Sequence, residues 1–247
     1  MPKDFSLQFC SRSHTGKVKR NNEDYLRIHQ NGFLAAIADG MGGTDFGEVA
    51  SQIAVDASIE YLANTTSTKL LDKPAGELSN AVKYANETII AIQRNEEKYR
   101  TMGSTLTCFL MINNQLHFSW VGDSRIYIVR PENTSIQMLT KDHTLDRNKI
   151  DATLAPDLYR RAPSILTQKV GSILLIQPDT GCFELKVGDI IVACTDGLSD
   201  RIDDQLLLEY GLKFAGNLEG YADKLLDRAL DCGGQDNISL ILAQVMS

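Results

Sequence analysis

The chain has 247 residues, 43% of them apolar, and a formal net charge of −7. That is enough material for a single domain over residues 1–247 with an ample core. The acidic balance argues against general nucleic-acid or anionic-membrane binding. No apolar run reaches the roughly 18 residues of a transmembrane helix, and Met1-Pro2-Lys3-Asp4-Phe5 lacks the apolar centre of a secretory signal. Cys10, Cys108, Cys182, Cys194 and Cys232 are scattered, with no Cys-x-x-Cys pair, and several lie in apolar runs. Reduced, buried thiols in a cytoplasmic monomer are the expectation, rather than a zinc site or a disulfide framework.

Taken in chain order, runs with β character cover 33–38, 104–112, 115–121, 125–130, 183–185, 189–195 and 237–245. Asn113-Asn114 separates the second and third runs and predicts a hairpin. Between the first two strands lie two helical patterns. Phe46, Val49, Ala50, Ile53, Ala54, Ala57 and Tyr61 form one stripe, and Leu78, Ala81, Val82, Ala85, Ile89 and Ile92 form the other. Two more helices are predicted over 203–214 and 218–231. This order does not alternate as a doubly wound parallel fold does, so an α+β fold of antiparallel sheets flanked by helices is favoured. The segment 141–180 is polar, carries Pro156, Pro163 and Pro178, and has weak periodicity. Such a segment inside a domain is more often a functional flap than a linker.

Four acidic residues share one placement, beside a Gly or an Asn at the end of an apolar run. Asp39 precedes Gly40, Asp123 follows Gly122, Asp196 precedes Gly197, and Asp236 precedes Asn237. If they converge they repel one another, by roughly 4 kcal/mol per pair at about 4 Å and an effective dielectric near 20. Such a cluster calls for a cation. All-oxygen ligands favour Mg²⁺ or Mn²⁺ over zinc. The glycines of Asp39-Gly40-Met41-Gly42-Gly43 let backbone approach a ligand, and no Walker motif or dinucleotide fingerprint is present. Upstream, Lys19-Arg20-Asn21-Asn22-Glu23-Asp24 sets cations beside acids. Alone it reads as a solvated turn. Next to a metal loop, Lys19 or Arg20 becomes a candidate phosphate grip, with Glu23 and Asp24 supporting the ligands from behind.

The ordered set Asn21-Asn22-Glu23-Asp24, Asp39-Gly40-Met41-Gly42-Gly43, Gly103-Ser104-Thr105-Leu106, Val121-Gly122-Asp123-Ser124-Arg125, Lys141-Asp142-His143, Thr195-Asp196-Gly197-Leu198-Ser199-Asp200 and Gly234-Gln235-Asp236-Asn237 resembles the metal-dependent protein phosphatases. These are the 2C-type serine/threonine phosphatases, and the likeness is to their compact bacterial branch. The resemblance implies a central antiparallel β-sandwich flanked on each side by pairs of α-helices, with the flap beside the active site. It implies a Mn²⁺- or Mg²⁺-dependent hydrolase for phosphoserine and phosphothreonine in proteins, using a metal-activated water. Asp39 would bridge two ions with help from the Gly40 carbonyl. Asp196 and Asp236 would complete the second ion's ligands, and Asp123 with Asp196 matches a third site. Glu23, Asp24 and Asn237 would support these from behind.

Two departures stand out. The family's phosphate-binding Arg falls at Lys19, a point charge without the guanidinium fork, and Met41 replaces the His that animal members carry. A leaving-group proton then comes from water or, less favourably, from His143; His14, His29 and His117 are expected to be structural or exposed. The implied partners are phosphoproteins, among them a Ser/Thr kinase or its targets. A catalytically silent phosphoprotein- or kinase-binding regulator of the same fold is the alternative.

Overall fold

The computed structural model describes residues 5–41 and 46–247. Gly42 and Gly43 of the expected metal loop lie outside the described residues. The chain opens with β1 (Ser6–His14), β2 (Asp24–Ile28) and β3 (Leu34–Met41), followed by α1 (Gly47–Asn64), α2 (Ser67–Asp72) and α3 (Pro74–Asn95). Then come β4 (Gly103–Ser104), β5 (Leu106–Ile112), β6 (Gln115–Val121), β7 (Arg125–Arg130), β8 (Ser135–Met138) and α4 (Pro156–Arg161). The chain closes with β9 (Asp179–Glu184), β10 (Ile190–Cys194), α5 (Asp196–Ser199), α6 (Asp204–Lys213), α7 (Leu218–Asp231) and β11 (Ile238–Met246).

Two antiparallel sheets result. One runs β1-β11-β10-β7-β8, the other β2-β3-β5-β6-β9 with β4 paired onto β3. Strand pleating decides what lies between and outside them. Ala35 and Ile37 of β3 face inward and pack with Phe109, Ile126, Ile191 and Ile241 from both sheets. Their neighbours Leu34, Ala36 and Ala38 point outward onto α1 and α3. On the other sheet Val192, Cys194, Leu240 and Leu242 point outward onto α6 and α7. The molecule is therefore layered helix–sheet–sheet–helix. With both faces of each sheet covered, the central strands need no polar alternation, which is why they read as unbroken apolar runs.

The hairpin forms at Asn113 and Asn114, both at positive φ (48° and 63°), the signature of a tight primed turn. Helix α7 and strands β6 and β7 match the expected ranges. Other segments depart from expectation for physical reasons. Edge strands β1 and β2 were not legible, because Ser11-Arg12-Ser13-His14 and Asp24-Tyr25-Leu26-Arg27 are polar where they meet solvent. The run expected over 104–112 breaks at Thr105, whose N–H donates to the Asp39 carbonyl across a local kink (2.9 Å). The strand expected over 183–185 starts earlier, at Asp179. Within 141–180 the chain is irregular only in part: α4 forms, and Val170 and Ile176 are buried against the helices. All five cysteines are free; Cys10, Cys108 and Cys194 are buried, whereas Cys182 is exposed and Cys232 partly so.

Among the described residues no helix is long and apolar enough to cross a membrane.

One buried charge ties the far end of the sandwich. Asp189, 1% exposed, accepts both prongs of Arg130 (2.7 and 2.6 Å) and the N–H of Lys186 (2.8 Å). Removing one partner of a buried, fully bonded pair strands the other charge. Asp189→Ala is expected to lose roughly 3–5 kcal/mol in urea unfolding; a loss below about 1 kcal/mol contradicts this role.

Candidate active site

The two sheets deliver their acids to one end of the sandwich. Asp39 lies near the end of β3, directly across from Asp24 in the β2 pairing. Its backbone is held three ways: its N–H donates to Thr105 Oγ1 (2.8 Å), and its carbonyl accepts from Ser104 Oγ (2.8 Å) and from Thr105 N–H (2.9 Å). Asp196 follows β10 as the first residue of α5. Asp236 precedes β11, and Asp123 sits in the turn between β6 and β7. These four, with Lys19, Glu23, Gly40 and Met41, line one cavity of about 420 Å³, and Ser164 and Leu166 of the flap form another part of its wall.

Glycine makes the close approach at this rim possible. Any Cβ on Gly40 would run into the carbonyl of Gly47, and one on Gly47 would strike the Glu23 carboxylate. The Gly40 N–H donates to the Glu23 carbonyl (3.0 Å), and Glu23's own carboxylate takes the backbone N–H of Gly47 at the start of α1.

A neutral residue clamps the pieces together. Asn237, 2% exposed, accepts from Glu23 N–H through Oδ1 (2.8 Å). Its Nδ2 donates to the carbonyls of Thr15 and Asn21 (2.8 Å each), and its own N–H donates to Asp236 Oδ1 (2.8 Å). Thr195 plays a similar part inside: its hydroxyl donates to Asp24 Oδ2 (2.8 Å) and accepts from the N–H of Ser239 (3.1 Å). Gly16, at φ 83°, lets the Thr15–Lys19 loop lie on Gly234–Asp236, where any Cβ would meet two carbonyls. That loop brings the Lys19 ammonium to 2.7 Å from Asp236 Oδ1.

The electrostatics are those of crowded acids out of water. Burial pushes Asp39 well above the carboxylate range, and the charges of Asp24, Asp196 and Asp236 add to it. Asp39 and Asp196 lie within hydrogen-bond reach of one another, Asp39 as donor. Burial, then Asp236 and Asp200, raises Asp196. Asp123 is lifted to about 7 by burial, then by Asp196 and Asp142. Asp24 also rises to about 7, through burial opposed by hydrogen bonds from Ser239 and Thr195. Burial raises Glu23, with Lys19 pulling the other way. For Lys19 burial opposes the charge, yet the bond to Asp236 and the fields of Asp39 and Glu23 leave it raised.

Three carboxylate oxygens, Asp24 Oδ1, Glu48 Oε2 and Asp196 Oδ1, are buried with no hydrogen-bond partner among the described residues. A native site does not carry such acceptors without something to fill them. All-oxygen donors, a surplus of negative charge and orphaned lone pairs fit a hard divalent cation. Among the described residues no three Asp, Glu, His or Cys side chains already surround a single point. Asp39 leans on Asp196 while Lys19 holds Asp236, so the acids stand around the cavity without closing on one centre.

Every acid singled out in the sequence reaches this end of the fold, and Lys19 lines the cavity while Arg20 is not among its lining residues. His143 is not there. Its Nδ1 accepts from the Gly122 N–H (3.2 Å), its ring stacks on Trp120 (5.9 Å between centroids), and its Nε2 faces Asp179 (3.3 Å). That placement removes it as a proton donor at the site. Among the other histidines, His117 is buried and His14 exposed. Sequence reasoning missed Glu48, Thr105 and Thr195. Glu48 stands in the first turn of α1 with Glu23 as its electrostatic neighbour, and only its place after a glycine-rich loop hinted at it.

This layering, with an acidic cleft at the strand ends, is what the resemblance to 2C-type phosphatases implies. A family model described as protein phosphatase 2C matches residues 11–232, and the chain belongs to that family. The serine/threonine protein phosphatase PstP of Mycobacterium tuberculosis is 33% identical over 246 residues, covering 97% of this chain but 45% of that relative. The chain thus spans less than half of that relative's length. Protein phosphatase PhpP of Streptococcus pneumoniae is 30% identical, covering 97% of this chain and 98% of its own. A crystal structure of the PstP catalytic domain in complex with two manganese ions superposes with a TM-score of 0.81 at 31% identity, covering 99% and 100% of the two chains.

The clamp at Asn237 makes a sharp prediction. Asn237→Ala strands two carbonyls and an N–H and is expected to cost about 2–4 kcal/mol in denaturant unfolding. Asn237→Asp, nearly the same size, is expected to be at least as damaging, because the oxygen in place of Nδ2 then faces the Thr15 and Asn21 carbonyls with no proton between them. Wild-type stability in the aspartate variant contradicts the clamp.

Proposed function

We propose that this chain is a protein-serine/threonine phosphatase that hydrolyses phosphoserine and phosphothreonine with two Mn²⁺ or Mg²⁺ ions. The observation that carries the reading is the set of charge-crowded carboxylates from both sheets, Asp39, Asp123, Asp196 and Asp236, around one cavity that Lys19 also lines. Asp39, the Gly40 carbonyl, Asp196 and Asp236 would hold the two ions, and Asp123 with Asp196 would hold a third. When bound, such ions lower the pKa of water and neutralise phosphoryl charge. The manganese in the PstP catalytic domain supports the choice of metal.

The chain's own residues do the positioning. Thr105 and Ser104 fix the Asp39 backbone, and Asn237 fixes Asp236 relative to Glu23. Lys19, in the cavity lining, would present its ammonium to a phosphoryl oxygen; a point charge orients less than a guanidinium fork does. Ser164 and Leu166 contribute flap side chains to the cavity wall beside the reacting group. With Met41 in the loop and His143 held elsewhere, the leaving oxygen takes its proton from water in the cavity. No thiol takes part: burial raises Cys108 and Cys194, each to about 12.

The clients are phosphoproteins, a Ser/Thr kinase or its targets foremost. Five unpaired cysteines support a reducing compartment, the cytoplasm. A silent regulator has no reason to keep every one of these acids together, and nothing in the site favours it.

Phosphate release from a phosphothreonine peptide tests the reading. Turnover is expected with Mn²⁺, to vanish with EDTA, and to fall by about a thousandfold or more in Asp39→Asn and in Asp236→Asn. Lys19→Ala is expected to raise KM by about tenfold, and Arg20→Ala to leave it within about twofold. Near-normal turnover in either aspartate variant contradicts the assignment.

A further inference from the structure

Three consecutive apolar side chains stand almost wholly in solvent: Ile173, Leu174 and Leu175 are 84%, 75% and 87% exposed. The backbone beneath them is tied down. Asn86 of α3 accepts from the N–H groups of Gly171 (2.8 Å) and Ser172 (3.1 Å). Gln93, two turns further along α3, donates to the carbonyls of Met102 (2.7 Å) and Gly171 (2.9 Å). Val170 on one side and Ile176 on the other pack into the helix-covered core. Helix α3 therefore holds a tip whose apolar side chains point away from the protein. An ordered apolar patch kept in water marks a contact surface.

Two neighbouring cavities border this tip, sharing Ile90, Ser172, Ile173 and Leu174 in their linings. One, of about 790 Å³, lies against Ile90 and Arg94; the other, of about 280 Å³, lies against Lys83 and Glu87. Across the two linings the charged residues are Lys83, Arg94, Arg100 and Lys169 against Glu87 and Glu97. Four cations against two anions give this surface the sign opposite to the chain's net −7. The surface also adjoins the active site. Val170 and Ser104 exchange backbone hydrogen bonds (2.9 and 3.1 Å), and β4 pairs with Gly40 and Met41 of the acidic loop.

We propose that the 173–175 tip and its flanking grooves dock a client phosphoprotein through a segment rich in acidic and apolar side chains, apart from the phosphorylated residue. The proposal rests on the phosphatase reading. Leucines fill the grooves and acids meet Lys83, Arg94 and Lys169. An anionic membrane also accepts exposed leucines, but grooves suit an extended chain better than a flat surface does.

Fluorescence anisotropy with a labelled acidic peptide, leucine at every third position, reads docking without turnover. The counterpart with lysine for every acid is expected to bind about tenfold more weakly or worse. Combined Ile173→Ser, Leu174→Ser and Leu175→Ser should weaken the acidic peptide by about tenfold, as should Arg94→Glu with Lys169→Glu, which leaves the apolar tip intact. In a second arm the acidic segment is joined to a short phosphothreonine peptide. The kcat/KM ratio of extended to short peptide should fall about fivefold or more in the triple variant, through KM. Equal binding of acidic and basic peptides, undiminished binding by the triple variant, or binding of phosphatidylserine vesicles without peptide binding overturns the proposal. Acidic-peptide binding with no turnover of the short peptide overturns the phosphatase reading and leaves the docking surface standing.

Discussion

Asp39 and Asp196 leave different sheets and meet, half out of water, at one end of the sandwich. Their repulsion, shared with Asp236, Asp123 and Asp24, is the constraint the rest of the structure answers. Strands that are apolar on both faces are stiff enough to carry charge to a common rim and hold it there. Burial and mutual charge raise the deepest of these carboxyls, Asp39 foremost, and the ammonium of Lys19 sits against Asp236. That ammonium lies on a lone pair that a hard cation would use.

The supports around the acids are mostly neutral. Asn237, Thr105, Thr195 and Ser104 spend nearly every donor and acceptor on backbone or carboxylate partners. Neutral groups can fix geometry without adding to the charge that the acids already share. Where charge is used structurally it is kept apart and fully paired, as in Arg130–Asp189 at the far end and Arg125–Asp142 (2.7 Å) behind Asp123. Glycines at 16, 40 and 47 serve the same end by letting three backbone segments touch where a side chain would hold them off.

Much of this was legible from the residues. Central strands announced themselves as apolar runs and the long helices as stripes, because those features follow from burial on one or both faces. The acids were legible because Asp beside Gly or Asn at a strand end is a rim position. Edge strands β1 and β2 were hidden, since half of each faces solvent and carries Arg12, His14 or Arg27. Glu48 and Thr195 were hidden for another reason: their roles depend on which loop folds against which, and no local pattern encodes that. His143 shows the same limit in reverse. Its position at the start of the flap suggested chemistry, and only the packing of Trp120 and Gly122 shows it to be a strut there.

The flap segment has two characters. Its first part borders the acidic cavity through Ser164 and Leu166, and its last part is welded to α3 while presenting three apolar side chains outward. The last part is tied through Val170 and Ser104 to the strand that carries Asp39, and the first part faces the acids directly. Calorimetric titration of Mn²⁺ into the metal-free protein tests the acid cluster most directly. Two ions per chain are predicted, with Asp39→Asn weakening binding by about tenfold or more, a change of about 1.4 kcal/mol. No binding at millimolar Mn²⁺, or an Asp39→Asn variant that binds as the wild type does, contradicts it.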